Sequence, residues 1–152
     1  MTELPNEFTI SIWMKPISSF IGYGRDSAIS NMFDVLSLYA TTNDEIRFSL
    51  GDSPIVITPI TPAIDTAKWN YISVYIKTTK SATSAQMYVL VSIAPGRSGT
   101  LVKAAEQTVN MPTFNNFKNI IHLGSMSETT PNSFDGYLKE FRIYKRVVSV
   151  FP

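Results

Sequence analysis

The chain has 152 residues, 44% hydrophobic and 16% charged, with a formal net charge of +1. That is a globular composition, too apolar for a disordered chain, and a length suited to one domain burying about two-thirds of its unfolded surface. A near-zero charge without a basic stripe argues against a nucleic-acid or anionic-membrane binder, and no run approaches the roughly 20 apolar residues of a membrane span.

Cysteine is absent, which excludes disulfides, thiolate metal sites and a cysteine nucleophile. The single histidine, His122, rules out two- and three-histidine metal centres. It lies in the short apolar stretch Ile120-Ile121-His122-Leu123, where packing is the expected role. The N-terminal Met1–Glu7 has neither the basic nor the apolar region of a signal peptide, so either a signal was removed before this numbering or none was carried.

In chain order, Phe8, Ile10, Ile12 and Met14 alternate with Thr9, Ser11, Trp13 and Lys15, which predicts a strand ended by Pro16. Ile17 to Asn31 is rich in Ser and Gly and reads as a surface loop. Met32 to Ala40 reads as a strand, Thr41-Thr42-Asn43-Asp44 as a turn, and Glu45 to Leu50 as a second strand, together a hairpin. After a turn at Gly51–Pro54, Ile55–Thr58 predicts a short strand, interrupted by Pro59 and Pro62 as an edge or bend would be. From Trp69 to Lys77 alternation is again regular. Ile72, Val74 and Ile76 face one way; Trp69, Tyr71, Ser73, Tyr75 and Lys77 face the other.

Thr78 to Ser84 reads as a seven-residue polar turn and Ala85–Ile93 as a strand apolar on both faces. A turn at Pro95–Gly99 follows. Leu101–Val109 admits a helical turn or a strand, its Leu-Val-Lys and Gln-Thr-Val ends favouring strand. Phe117–Gly124 predicts a strand and Ser125–Ser133 a polar loop; Asp135-Gly136 then leads into a closing strand through Tyr144. Nine or ten strands joined by Gly, Pro and Asn turns, with no convincing helix, predict a single all-β domain, an antiparallel sandwich or barrel.

Three stretches carry a resemblance. Phe8-Thr9-Ile10-Ser11-Ile12-Trp13-Met14-Lys15-Pro16, Lys68-Trp69-Asn70-Tyr71-Ile72-Ser73-Val74 and Phe134-Asp135-Gly136-Tyr137-Leu138-Lys139-Glu140-Phe141-Arg142-Ile143-Tyr144-Lys145-Arg146 resemble the opening, middle and closing strands of laminin-G-like, concanavalin A-like domains. They occur in family order across nearly the whole chain. The resemblance implies a jelly-roll sandwich of two curved antiparallel sheets. Two departures accompany it: the acidic pair usual in the closing strand is Lys139-Glu140 here, and the chain ends at Val150-Phe151-Pro152, where relatives continue into a short acidic helix. Either that tail is dispensable or the polypeptide runs on.

Glycoside hydrolases of this fold carry two carboxylates on one strand aimed into a cleft. That alternation is missing: Asp44 and Glu45 are adjacent and point opposite ways, and Glu140 has no acidic neighbour within four residues. No Gly-x-Ser-x-Gly elbow supplies a serine nucleophile. The expectation is a non-enzymatic chain. Relatives often hold calcium in rim loops, but Asp26, Asp34, Asp44, Asp52, Asp65 and Asp135 are scattered singly, so no cofactor or metal site is assigned, and Asp135 reads as a turn residue. The resemblance instead implies a lectin-like module binding a glycan or protein ligand outside a cell or on a virion. A structural subunit assembling with copies of itself or a neighbouring protein is the alternative, since near-zero charge lowers the barrier to association. Aromatic platforms flanked by hydrogen-bonding groups suit sugars, so the candidate ligand-binding residues are Trp13, Lys15, Trp69, Tyr71, Tyr75 and Arg142. Their competing role is packing beneath a covering loop.

Overall fold

A computed structural model describes residues 6–17, 27–32, 36–40, 46–50, 67–80, 85–95, 101–110, 121–124 and 134–146. The elements among them are all strands: β1 (Glu7–Pro16), β2 (Ser27–Met32), β3 (Leu36–Ala40), β4 (Ile46–Leu50), β5 (Asn70–Lys80), β6 (Ala85–Pro95), β7 (Val102–Asn110), β8 (Ile121–Leu123) and β9 (Gly136–Tyr144). They form a five-stranded sheet ordered β7-β6-β5-β1-β9 and a four-stranded sheet ordered β4-β3-β2-β8. All the pairings are antiparallel. The all-β, antiparallel expectation holds, and the ambiguous stretch after Leu101 is a strand.

β1 and β5 are the spine of the larger sheet. Phe8, Ile10 and Ile12 stand opposite Ile76, Val74 and Ile72, and all six are buried. Burying each such side chain contributes about 1.5–3 kcal/mol. The other face of β1 is covered as well, since Thr9, Ser11 and Trp13 are buried too. In β6 the consecutive residues Ile93 and Ala94 are both buried, so both faces are covered there also. Period-2 alternation therefore sorts β1 into two faces without making either one a solvent face.

Several segment boundaries differ from the sequence reading; β6, for one, runs to Pro95, where a strand to Ile93 and a turn from Pro95 were expected. β2 begins at Ser27, inside the expected loop Ile17–Asn31, and the expected strand Met32–Ala40 is divided between β2 and β3, with Met32 opposite Leu36. Short polar residues in Ser27–Met32 give no hydrophobic pattern, but β2 has a partner on each side, β3 and β8, and the backbone ladder decides. β5 runs three residues further than expected, with Lys80 opposite Ala85, so part of the expected seven-residue turn is ladder. The β3–β4 hairpin is as expected, pairing Ala40 with Ile46. His122 lies in β8 opposite Asn31, half-buried. The expected short strand at Ile55–Thr58 and the loop Ser125–Ser133 lie outside the described residues.

β9 is brought against the end of β1 by its entry. The Ile17 N–H donates to the Asp135 carbonyl at 3.2 Å, and the Phe134 N–H donates to the Gly124 carbonyl at 2.7 Å. Gly136 then passes so close to the Lys15 carbonyl and the Phe134 ring that a Cβ there would collide with both. The Asp-Gly pair expected as a turn thus serves close backbone approach at this point.

Candidate functional site

Two β-bulges organise the sheet face that carries Trp13. Along β9, Trp13 pairs with Lys139 and Ser11 with Arg142, so two residues of β9, Glu140 and Phe141, oppose the single Ile12. Glu140 takes the left-handed conformation at φ 53°. That conformation costs a non-glycine residue roughly 1–2 kcal/mol and is the geometry of a bulge's first residue. Its effect is to put Lys139 and Arg142, three residues apart, on the same face as Trp13. Glu140 is also held from outside the backbone, because the Arg142 guanidinium contacts its carboxylate at 3.2 Å and reaches the Tyr144 hydroxyl at 3.3 Å. A second register shift, between Val91 and Ser92, does the same in β7 for Lys103 and Glu106. These two residues meet at 2.7 Å.

At one end of this face the aromatic side chains converge. Trp13 pairs in register with Tyr71, their ring centroids 5.1 Å apart and tilted by 54°. Both are buried, Trp13 at 8% and Tyr71 at 1% exposure, and with Ala94 they form a small core against which Trp69 and Leu101 pack. Burial pushes the Tyr71 phenol above its ordinary pKa, against the opposing pull of the Ser11 hydroxyl. Trp69 precedes β5 directly and is half-buried. The Asn70 side-chain amide, donating to the Lys68 carbonyl at 2.9 Å, shapes the backbone on either side of it. Tyr137, exposed at 58%, stands with its ring 6.4 Å from that of Trp69. The Lys139 ammonium lies 4.4 Å from the Trp69 ring centroid and 5.6 Å from that of Trp13. Cation–π contacts of this kind contribute about 0.5–2 kcal/mol and fix where the charge sits.

The opposite end holds a polar chain. The Tyr75 hydroxyl donates to Glu7 at 2.8 Å, the Tyr75 and Tyr88 rings meet edge to face at 6.0 Å, and the Tyr88 hydroxyl donates to Glu106 at 2.6 Å. Partial burial, then the hydrogen bond and charge of Glu7, push the Tyr75 phenol up to about 12. The Lys103 ammonium and the Tyr88 hydroxyl hold the Glu106 carboxyl below its usual range. Because the folded Tyr75 keeps its proton more tightly than the usual tyrosine value near 10, the stability it brings is complete below pH 10 and is lost as pH rises toward 12. Chemical denaturation between pH 9 and about 12 checks this. The wild type should lose more stability over that range than Tyr75→Phe, and parallel curves would refute the assignment.

The sequence-derived candidates thus divide. Trp13, Trp69 and Tyr71 meet at the aromatic end, and register sets Lys15 at that end opposite Tyr137, as it sets Trp13 opposite Lys139. Arg142 lies opposite Ser11, committed to Glu140 and Tyr144. Tyr75 pairs with Thr9, four residues along β1 from Trp13 and so about 14 Å away. Trp13 and Tyr71 are floor rather than surface. Tyr137, Lys139, Tyr88 and Glu106 were missed. A signal for the first two existed: the apolar positions of β9 slip phase, from Leu138 to Phe141 and Ile143, as they must across a bulge.

Among the described residues no three His, Asp or Glu side chains converge as a metal site. Asp135 is described; Asp26, Asp34, Asp44, Asp52 and Asp65 lie outside the described residues, and calcium is assigned no ligands. The described residues include no helix long and apolar enough to cross a membrane.

The laminin-G-like family model described as the concanavalin A-like lectin/glucanases superfamily matches residues 2–150, and the chain belongs to that family. A search of curated proteins finds no match.

Proposed function

We propose that this member of the concanavalin A-like lectin/glucanases superfamily is a non-catalytic, lectin-like binding module, a single domain whose two sheets stack as a jelly-roll sandwich. Its ligand is a glycan, or a glycan-bearing protein, in an extracellular, cell-surface or virion setting. The observation that carries this reading is the pairing of half-buried Trp69 with exposed Tyr137 on a rigid floor of Trp13 and Tyr71, edged by Lys15 and Lys139. The exposed Tyr137 ring and the accessible part of Trp69 give a sugar its apolar contact, and the neighbouring ammonium groups give its hydroxyls hydrogen-bond partners.

The family description spans lectins and glucanases, and the carboxylates of this face favour the former. Glu7 and Glu106 stand on strands separated by β5 and β6, and each carboxylate accepts a hydrogen bond from a tyrosine, Glu7 from Tyr75 and Glu106 from Tyr88. Glycoside hydrolysis needs two carboxyl groups flanking one bond, one of them as acid. Glu140 is engaged by Arg142. Screening the purified chain on a broad glycan array tests the proposal. Saturable binding to a defined set of saccharides, with no reducing ends released on incubation, is the expected result. A blank array at millimolar-equivalent avidity would overturn it.

One observation favours a structural subunit instead. Ile121 and Leu123 on β8 and Ile143 on β9 are exposed apolar residues on strands that end their sheets among the described residues. Light scattering separates the two: regular large assemblies support the subunit, a 17.0 kDa monomer the lectin.

A further inference from the structure

We infer that Arg142 is a positioning residue and not a ligand contact: by holding Glu140 in its left-handed bulge, it keeps the Tyr137 ring beside Trp69. What that face binds rests on the lectin-like reading above; the register that Arg142 guards is a property of β9 and β1 themselves.

β9 is pinned to β1 at both ends. At its entry the Asp135 carbonyl accepts from the Ile17 N–H, and beyond its exit the Thr9 hydroxyl donates to the Arg146 carbonyl at 2.5 Å. Between these pins β9 carries one residue more than β1, absorbed where Glu140 and Phe141 oppose Ile12. Side chains change face with each residue, so a β9 that gave up the extra residue would slip by one at one end and turn that end over. Thr9 is fully buried, and releasing the exit would strand its hydroxyl. Tyr137 is exposed, so the entry end is the one that gives way, and its ring then leaves Trp69.

The bulge is built on a residue unsuited to it. The left-handed first position of a bulge is ordinarily glycine, which has no Cβ to crowd the carbonyl. Here it is Glu140, at φ 53°. One nitrogen of the Arg142 guanidinium donates to the Glu140 carboxylate at 3.2 Å, and another donates to the Tyr144 hydroxyl at 3.3 Å. A planar fork that spans residues 140 and 144 fixes both sides of the bulge at once. The cost of a left-handed glutamate is comparable with what one exposed ion pair and one hydrogen bond return, so the register depends on them. Arg142 thus directs two of its nitrogens to groups of its own strand, the work of a brace.

The test is a double-mutant cycle in the intact chain on Arg142→Ala and Glu140→Gly, since glycine adopts the left-handed backbone without a brace. Each variant is titrated on the glycan array, and amide hydrogen exchange is followed at Leu138 to Phe141 without any glycan. Arg142→Ala is expected to weaken binding of each saccharide that wild type holds by about five-fold or more, and to speed exchange about ten-fold. Its melting temperature should stay within about 4 °C of wild type, as suits an exposed pair. Glu140→Gly alone should match wild type in both readouts, and the combined Glu140→Gly/Arg142→Ala variant should recover both. An affinity loss of equal size with and without Glu140→Gly would make Arg142 a direct ligand contact and overturn the inference. Unchanged exchange or unchanged affinity in Arg142→Ala would overturn it too. Arg142→Lys, which keeps the charge but not the fork, takes the place of Arg142→Ala if that variant does not fold, and is judged by the same recovery. If wild type binds no saccharide, the lectin reading falls, and the exchange measurements alone decide whether Arg142 holds the register.

Discussion

Phe8→Ala is expected to lower the unfolding free energy by about 3–5 kcal/mol, the usual cost of emptying a buried phenylalanine site. Phe8 is 1% exposed and stands opposite Ile76, itself fully buried, at the start of the β1–β5 pairing. Its neighbours belong to a ladder and have little room to collapse into the space, which favours the upper part of that range. Domains of this kind have about 5–15 kcal/mol in all, so the variant will sit close to its unfolding threshold. In urea, with a slope of about 2 kcal/mol/M, the midpoint should fall by about 2 M. Gln107→Ala, at an exposed position of β7, which ends its sheet among the described residues, should stay within about 0.5 kcal/mol of wild type. A Phe8→Ala loss below about 1 kcal/mol would mean that this face of β1 is not packed as described.

Trp69→Ala is expected to reduce affinity for whichever glycan binds by about 30-fold or more, the loss of 2 kcal/mol that marks a binding hot spot. Three effects combine there. The half-buried indole is itself a platform, it carries one face of the Lys139 contact at 4.4 Å, and it supports Tyr137 at 6.4 Å. Titration of wild type and variant by calorimetry, with a thermal melt beside each, checks the claim; a folded variant binding as well as wild type would remove Trp69 from the site. Trp13→Ala is a poorer probe. At 8% exposure Trp13 is part of the small core with Tyr71 and Ala94, so its removal destabilises the face before it reports on binding.

Much of this was legible in the residues. The alternation of Phe8, Ile10 and Ile12 with Thr9, Ser11 and Trp13, and of Ile72, Val74 and Ile76 with Tyr71, Ser73 and Tyr75, assigned each side chain to the face it occupies in the paired strands. The turn residues around Asn43 marked a hairpin that the pairing of β3 with β4 bears out. Where hydrophobic pattern was weak, as in Ser27–Asn31, a strand read as a loop.

What the sequence determined by itself was the all-β class, the family, and which residues share a face, because strand periodicity is a local property of each segment. Tertiary structure alone decided which faces meet and in what register. Trp13 gains its site only because β1 lies between β5 and β9, bringing Tyr71 from one side and Lys139 from the other. Lys139 and Arg142 share a face only because Glu140 accepts a left-handed backbone, and period-2 alternation has no place for such a residue. Side-chain pattern specifies direction within a strand; neighbours across strands depend on pairing between segments distant in the chain.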